Sequence, residues 1–167
     1  MNRLLIGSGT WDWPDYLKLD ASPTAPADIH CLFPPLPDTV LAQHFSEILM
    51  VHTIEHILPW LVPELLSECY DILEPEGVFI LEQPNILYAA RVLLGLVEPP
   101  VYTGQYDMWP LYGDPTHRDE LMLHRWGYSP DTLRYALIQA GFKPTKVELC
   151  PAQYHIPVRD FRIEARK

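Results

Sequence analysis

An α/β fold on a mostly parallel sheet is what this sequence predicts, and three observations predict it. Short apolar runs end in glycine or polar turns, amphipathic segments lie between several of them, and two alternating segments close the chain. The chain has 167 residues, a length that suits one domain with a sizeable core. It reads as one domain over residues 1–167, with 86–128 as a variable excursion that carries substrate or lid contacts.

The elements follow in order. Leu4-Leu5-Ile6 is a short buried strand that runs into the turn Gly7-Ser8-Gly9-Thr10. Trp11 to Asp15 is a loop, and Tyr16 to Leu19 is a second strand closed by Asp20. Only six residues, Thr10 to Asp15, separate Gly9 from Tyr16, too few for a helix and its turns. Asp28 to Leu32 reads as a short third strand, stopped by Pro34-Pro35-Leu36-Pro37. Phe45 to Val51 is the clearest strand, and His52-Thr53-Ile54-Glu55-His56 follows it. Pro63 to Leu73 has helical spacing, with Pro63 in the first turn. Pro75-Glu76-Gly77 reads as a turn before the strand Val78 to Leu81. Ile86 to Leu96 predicts a helix, and Pro99 to His124 a long excursion. Ser129-Pro130 starts a helix that Gly141 ends. Lys146 to Cys150 and Phe161 to Ala165 predict an antiparallel close.

Composition narrows the function. Hydrophobic residues are 48% and charged residues 20%, which is globular rather than disordered. Eighteen prolines are about twice the average share of ~5%, so loops are many. Twenty-two acidic against 12 basic side chains give a net charge of −10. That balance argues against nucleic acid or a membrane surface as partner and leaves a small molecule, a sugar-containing metabolite or a protein, of which a small molecule is the expected substrate. Cys31, Cys69 and Cys150 form no Cys-x-x-Cys pair, which fits a reducing compartment. No run suits a signal peptide or a membrane span, so the expected place is the cytoplasm.

Ligands of open α/β sheets sit beyond the carboxyl ends of the strands. Gly7 and Gly9 let a ligand lie against bare backbone, and Asp20 can accept ribose hydroxyls. This is a nucleoside-binding arrangement. It is not the dinucleotide fingerprint, because position 12 is Asp and Trp11-Asp12-Trp13-Pro14 does not open a phosphate-binding helix.

Six segments taken together, LLIGSGT, YLKLDAS, ADIHCLFPPLP, FSEILMVHTIEHIL, ECYDILEPEGVFILEQPN and YSPDTLRYALIQAGF, resemble class I S-adenosylmethionine-dependent methyltransferases of the small, Rossmann-like, methyltransferase-11-like type. The resemblance covers most of the chain except about 86–123. It implies a mostly parallel sheet flanked by helices with an antiparallel C-terminal strand. It departs from the family in lacking the helix between the first two strands. It places Gly7, Ser8 and Gly9 against the methionine part of the cofactor, and Asp20 with Ala21 at the ribose. Cys31 and Leu32 fall near the adenine, and His52 and Thr53 beside the sulfonium. Cys31 stands where the family has an acid. Trp11 and Trp13 either cover the open edge left by the missing helix or pack under a shortened loop.

The resemblance implies transfer of a methyl group to a small-molecule or sugar-type acceptor. The alternative is a cofactor-binding or interaction protein that kept the fold without transfer. The cluster at 52–56 leaves three readings open. Glu55 and His56 form structural hydrogen bonds at a helix start; or His52, Glu55, His56 and His124 hold a divalent cation; or His56 or His124 acts as a general base. Three imidazoles and a carboxylate suit Zn, Mn, Co or Fe more than Mg. The inverted zinc-hydrolase spelling His-x-x-Glu-His needs a mid-helix location, which the preceding strand argues against. The expected catalytic set is His56, Glu55 and His124. Asn85, His117 and Arg118, and the aromatics Tyr102, Tyr106, Trp109, Tyr112 and Trp126, are further candidates for substrate contact.

Overall fold

The computed structural model describes residues 2–11, 13–98 and 108–167. Seven strands form one sheet: β1 (Arg3–Ile6), β2 (Leu17–Asp20), β3 (Ile29–His30), β4 (Phe45–Val51), β5 (Leu73–Pro84), β6 (Val147–Cys150) and β7 (Asp160–Arg166). Their spatial order is β3-β2-β1-β4-β5-β7-β6. The first five pair in parallel, and β7 runs antiparallel to both β5 and β6. The helices are α1 (Asp38–Leu41), α2 (Val62–Ile72), α3 (Ile86–Leu93), α4 (Trp109–Tyr112) and α5 (Pro130–Gln139). The expected α/β fold with its antiparallel close is therefore the observed one.

The central strands are near-continuous apolar runs because both of their faces are buried. Alternation along each strand sends successive side chains to opposite faces. Leu4, Ile6, Ile48, Met50, Phe79 and Leu81 face the main core. There they meet Val40 of α1, Val62, Leu65, Leu66, Cys69 and Ile72 of α2, and Leu133 and Leu137 of α5. Leu5, Leu49 and Ile80 face the other way, where Trp13, Tyr16 and Tyr154 pack on them. Among the described residues no helix lies between β1 and β2, as the short spacing predicts.

Local chemistry sets the helix ends. Ser129 Oγ accepts from the Thr132 N–H at 3.2 Å, and Thr132 Oγ1 accepts from the Ser129 N–H at 2.9 Å. This reciprocal cap opens α5, and Gly141 at φ +118° follows its end. Asn85 Oδ1 accepts from the Leu87 N–H at 3.0 Å and caps α3.

Three expected boundaries are corrected. Pro75-Glu76-Gly77, expected as a turn before a strand starting at Val78, lies inside β5. Phe45 pairs with Leu73 and Glu47 with Val78, so the extra residues bulge out while the strand continues. The helix expected over 86–96 ends at Leu93, with Gly95 at φ +67° just beyond it. The third strand stops before Cys31 and Leu32, although the Cys31 N–H still donates to the Asp20 carbonyl at 3.0 Å. No helix among the described residues is long and apolar enough to cross a membrane.

Candidate functional site

The strand order reverses between β1 and β4, and in such sheets the crevice at that point takes the ligand. The turn after β1 enters this crevice. Gly7 has φ +74°, and a Cβ there would fall 2.2 Å from Thr53 Oγ1. Glycine is therefore required at Gly7, and the space belongs to Thr53. The Thr53 hydroxyl lies 3.2 Å from the Ile6 carbonyl and 3.1 Å from that of Val51. It ties the ends of β1 and β4 together. Gly9, at φ +56°, is different: a Cβ there would meet nothing within 4 Å, so its backbone faces open space.

Asp20 closes β2 and is buried. Its Oδ2 accepts from the Gly9 N–H at 2.8 Å and from the Ser8 hydroxyl at 3.5 Å, and its Oδ1 accepts from the Ser22 N–H at 2.8 Å. A carboxylate has about four acceptor sites, so among the described residues one stays unused, and the 3.5 Å Ser8 bond is the easiest to displace. Ala21 is half-buried. Cys31 is half-buried, and Leu32 is 75% exposed, an apolar side chain with little covering it at the end of β3.

Beyond β4 the imidazoles and carboxylates divide into two groups. His52 has φ 48°, in the left-handed region, and points its ring at acids on both sides. Its Nε2 lies 2.9 Å from Asp160 Oδ2, and its Nδ1 lies 3.3 Å from Glu55 Oε1. Burial opposes charge on His52, but these two carboxylates outweigh it and push the imidazole up to about 9. Asp160 is buried and also takes a two-pronged bond from Arg159, at 2.5 and 2.7 Å. His52 and Arg159 overcome its burial and hold it well below the usual carboxylate range. Both ring nitrogens of His52 are thus engaged. It does not join the expected four-residue cation set, because its stronger partner is Asp160, at the start of β7.

The remaining three do come together. Ligand atoms of Glu55, His56 and His124 all lie within 4.8 Å of one another. The Ile54–His56 turn supplies two of them, and the excursion supplies the third. The Arg125 and Trp126 N–H groups donate to the Glu55 carbonyl at 2.6 and 3.2 Å, which docks the excursion beside the turn. Burial pushes His124 down despite the nearby Glu55 charge.

The aromatic loop after β1 reaches the same crevice. Trp13, Trp11 and His155 stack in turn, with centroids 5.7 and 5.2 Å apart, and the His155 ring lies 4.0 Å from that of His52. Trp13 also packs against Tyr154 and Tyr16. Trp13 takes the packing role, while Trp11 is 42% exposed and stacks between Trp13 and His155.

Sequence reasoning missed Glu82, His155, Arg159 and Asp160. Glu82 is buried on β5 and accepts from the N–H groups of Gln153, Tyr154 and His155 at 2.7, 2.7 and 3.0 Å. Those bonds hold His155 over His52. A lone acid inside the apolar run FILEQ was the available signal. Asn85 is spent on capping α3, and His117 and Arg118 are exposed. Trp109 and Tyr112 lie in α4, Tyr112 and Trp126 are largely exposed, and Tyr102 and Tyr106 fall outside the described residues.

A family model described as a methyltransferase domain matches residues 6–147. No curated protein matches the chain by sequence. Solved structures match in fold. A SAM-dependent methyltransferase from Archaeoglobus fulgidus is 17% identical, with 99% of this chain and 86% of that one covered and a TM-score of 0.62. The glycopeptide N-methyltransferase MtfA, solved with S-adenosylmethionine, is 16% identical, covering 98% and 80%, with a TM-score of 0.60. The pyocyanin biosynthetic protein PhzM is 12% identical, covering 99% of this chain and 50% of that one, with a TM-score of 0.58.

Proposed function

Because the chain belongs to the methyltransferase-domain family, we propose that it uses S-adenosylmethionine to methylate a small-molecule acceptor. The observation that carries this reading is the turn after β1. Bare backbone at Gly9 faces open space, and the Gly9 N–H is held by the Asp20 carboxylate that closes the next strand. Those parts suit a nucleoside whose tail lies against bare backbone.

The residues fit the cofactor. Gly7, Ser8 and Gly9 line its methionine part. Asp20 offers its vacant acceptor site to one ribose hydroxyl, and a second hydroxyl displaces Ser8. Ala21 borders the ribose, and Leu32, exposed beside Cys31, covers the adenine. His52 and Thr53 bound the crevice at β4, with Thr53 fixing the distance between the two strand ends. When bound, S-adenosylmethionine supplies an electrophilic methyl group. The protein's task is then mostly positioning, which is worth several kcal/mol without an acid–base pair. Trp11 with His155 shields the crevice on the side where the family carries a helix. Glu55, His56 and His124, together with the 86–128 excursion, face the acceptor. MtfA acts on a glycopeptide and PhzM in pyocyanin biosynthesis. With the net charge of −10, these support a small-molecule or sugar-bearing acceptor over nucleic acid.

Calorimetry with S-adenosylmethionine tests the reading. The expected result is one site that Asp20→Ala weakens at least about tenfold, since two hydrogen bonds to a charged group are lost. Absence of binding at millimolar ligand would refute it. Binding without transfer to any acceptor would leave the protein as a cofactor binder.

A further inference from the structure

Glu55 presents an unusual arrangement. It is 3% exposed, and neither carboxylate oxygen accepts a hydrogen bond among the described residues. A buried carboxylate left this way costs several kcal/mol unless another group compensates it. The His52 contact at 3.3 Å supplies charge but falls short of hydrogen-bond geometry. The two other neighbours are imidazoles whose protonation is set from behind. His56 Nδ1 lies 3.1 Å from the Leu123 carbonyl, and His124 Nδ1 lies 3.0 Å from the Pro110 carbonyl. A carbonyl only accepts, so each Nδ1 carries the hydrogen. In the neutral tautomer that this arrangement selects, each Nε2 keeps its lone pair. A backbone carbonyl behind one ring nitrogen is the device that orients imidazole ligands at metal centres.

We propose that Glu55, His56 and His124 form a divalent transition-metal site that fastens residues 108–124 to the turn after β4. Two imidazoles and one carboxylate suit Fe, Zn, Co or Mn, and Mg or Ca much less. Bonds of about 2.0–2.2 Å need the three ligand atoms drawn closer than their present spread of up to 4.8 Å, which side-chain rotation supplies. His52 is excluded because Asp160 and Glu55 hold its ring. The ion adds to the contacts that already join the two parts of the chain: the Arg125 and Trp126 N–H groups on the Glu55 carbonyl, and His56 Nδ1 on the Leu123 carbonyl. Three protein ligands leave positions open. If the methyltransferase reading holds, those positions receive an acceptor oxygen or nitrogen and lower its pKa. Metal binding itself does not depend on that reading.

The experiment uses untagged full-length protein stripped with a chelator, then titrated with Co²⁺ by visible absorption and with Zn²⁺ by calorimetry. One equivalent is expected, without the thiolate charge-transfer band that a cysteine ligand would add. His124→Ala is expected to weaken binding at least about tenfold, as loss of a ligand exceeds the ~10–100-fold cost of losing an outer partner. Glu55→Gln should do the same. The His30→Ala control, far along the chain on β3, should leave binding unchanged. Absence of stoichiometric binding in the parent protein would overturn the proposal. So would undiminished binding in His124→Ala. The latter variant alone decides if Glu55→Gln does not fold. S-adenosylmethionine calorimetry on the same metal-free protein reports separately on the methyltransferase reading.

Discussion

The two faces of the sheet are built from the same central strands and covered by different means. On one face Leu4, Ile48, Phe79 and Leu81 meet α2 and α5, in a core that takes five buried side chains from α2 and two from α5. On the other, Leu5, Leu49 and Ile80 meet a single layer of rings from Trp13, Tyr16 and Tyr154. Large aromatic side chains bury much area per residue, so a ten-residue connection over 7–16 takes the place of a crossover helix. The remainder of that face carries charge, with Arg162 over the Tyr154 ring and paired to Glu164 at 2.8 Å. The difference teaches where structure and site are joined. The ring layer continues through Trp11 and His155 to His52. Damage on that face reaches the crevice, whereas damage on the helical face reaches stability first.

The largest expected effect is on the helical face. Phe79 is fully buried between sheet and helices, with Phe142 6.3 Å away. Phe79→Ala should lower unfolding free energy by about 3–5 kcal/mol, the range for buried aromatic truncation, measured by urea denaturation. Trp13→Ala on the other face should cost about 2–3 kcal/mol, because Trp13 is only half-buried. A cost equal to that of Phe79 would show the aromatic layer to be as firm as a helical core and would erase the contrast.

Trp11→Ala sharpens it further. Trp11 is 42% exposed and touches Trp13 and His155 through stacking. Stacked pairs are worth about 0.5–1.5 kcal/mol, so stability should fall by about 1 kcal/mol. Affinity for S-adenosylmethionine, read by calorimetry with the fold checked by circular dichroism, should fall about tenfold, or ~1.4 kcal/mol. Unchanged affinity would reduce Trp11 to packing.

What was legible in the sequence follows the range of each interaction. Strand β4 was readable at its observed bounds, because five of its seven residues are apolar and such a run needs no distant partner. Ser129, Pro130 and Gly141 marked α5 by local backbone chemistry. The 75–77 bulge was not readable, since a turn and a bulge share their residues and only the neighbouring strand decides between them. Gly7, Gly9 and Asp20 lie near in sequence and could be singled out as a group, and so could Glu55 and His56. Asp160 sits 108 residues from His52, and Glu82 71 residues from Gln153. No spacing rule links such pairs. Only Glu82's position in an apolar run hinted that a buried carboxylate needed donors.

The smallest expected effect isolates one bond of the aromatic layer. Tyr16 donates its hydroxyl to Glu47, whose other neighbour is Arg3 at 4.0 Å. Burial, then the bond to Glu47 and its charge, push the phenol well above its ordinary value, with Arg3 opposing. A phenol whose pKa is raised on folding adds stability that is fully present below the unfolded value of about 10. That stability is lost as pH rises from there toward the folded value. Tyr16→Phe keeps the ring against Trp13 and removes the bond, so it should cost about 0.5–1.5 kcal/mol near neutrality. Above pH ~10 the parent's stability should fall more steeply than the variant's, and the two urea midpoints should converge. Parallel alkaline slopes would mean that the ring alone, and not its bond to Glu47, holds this edge of the layer.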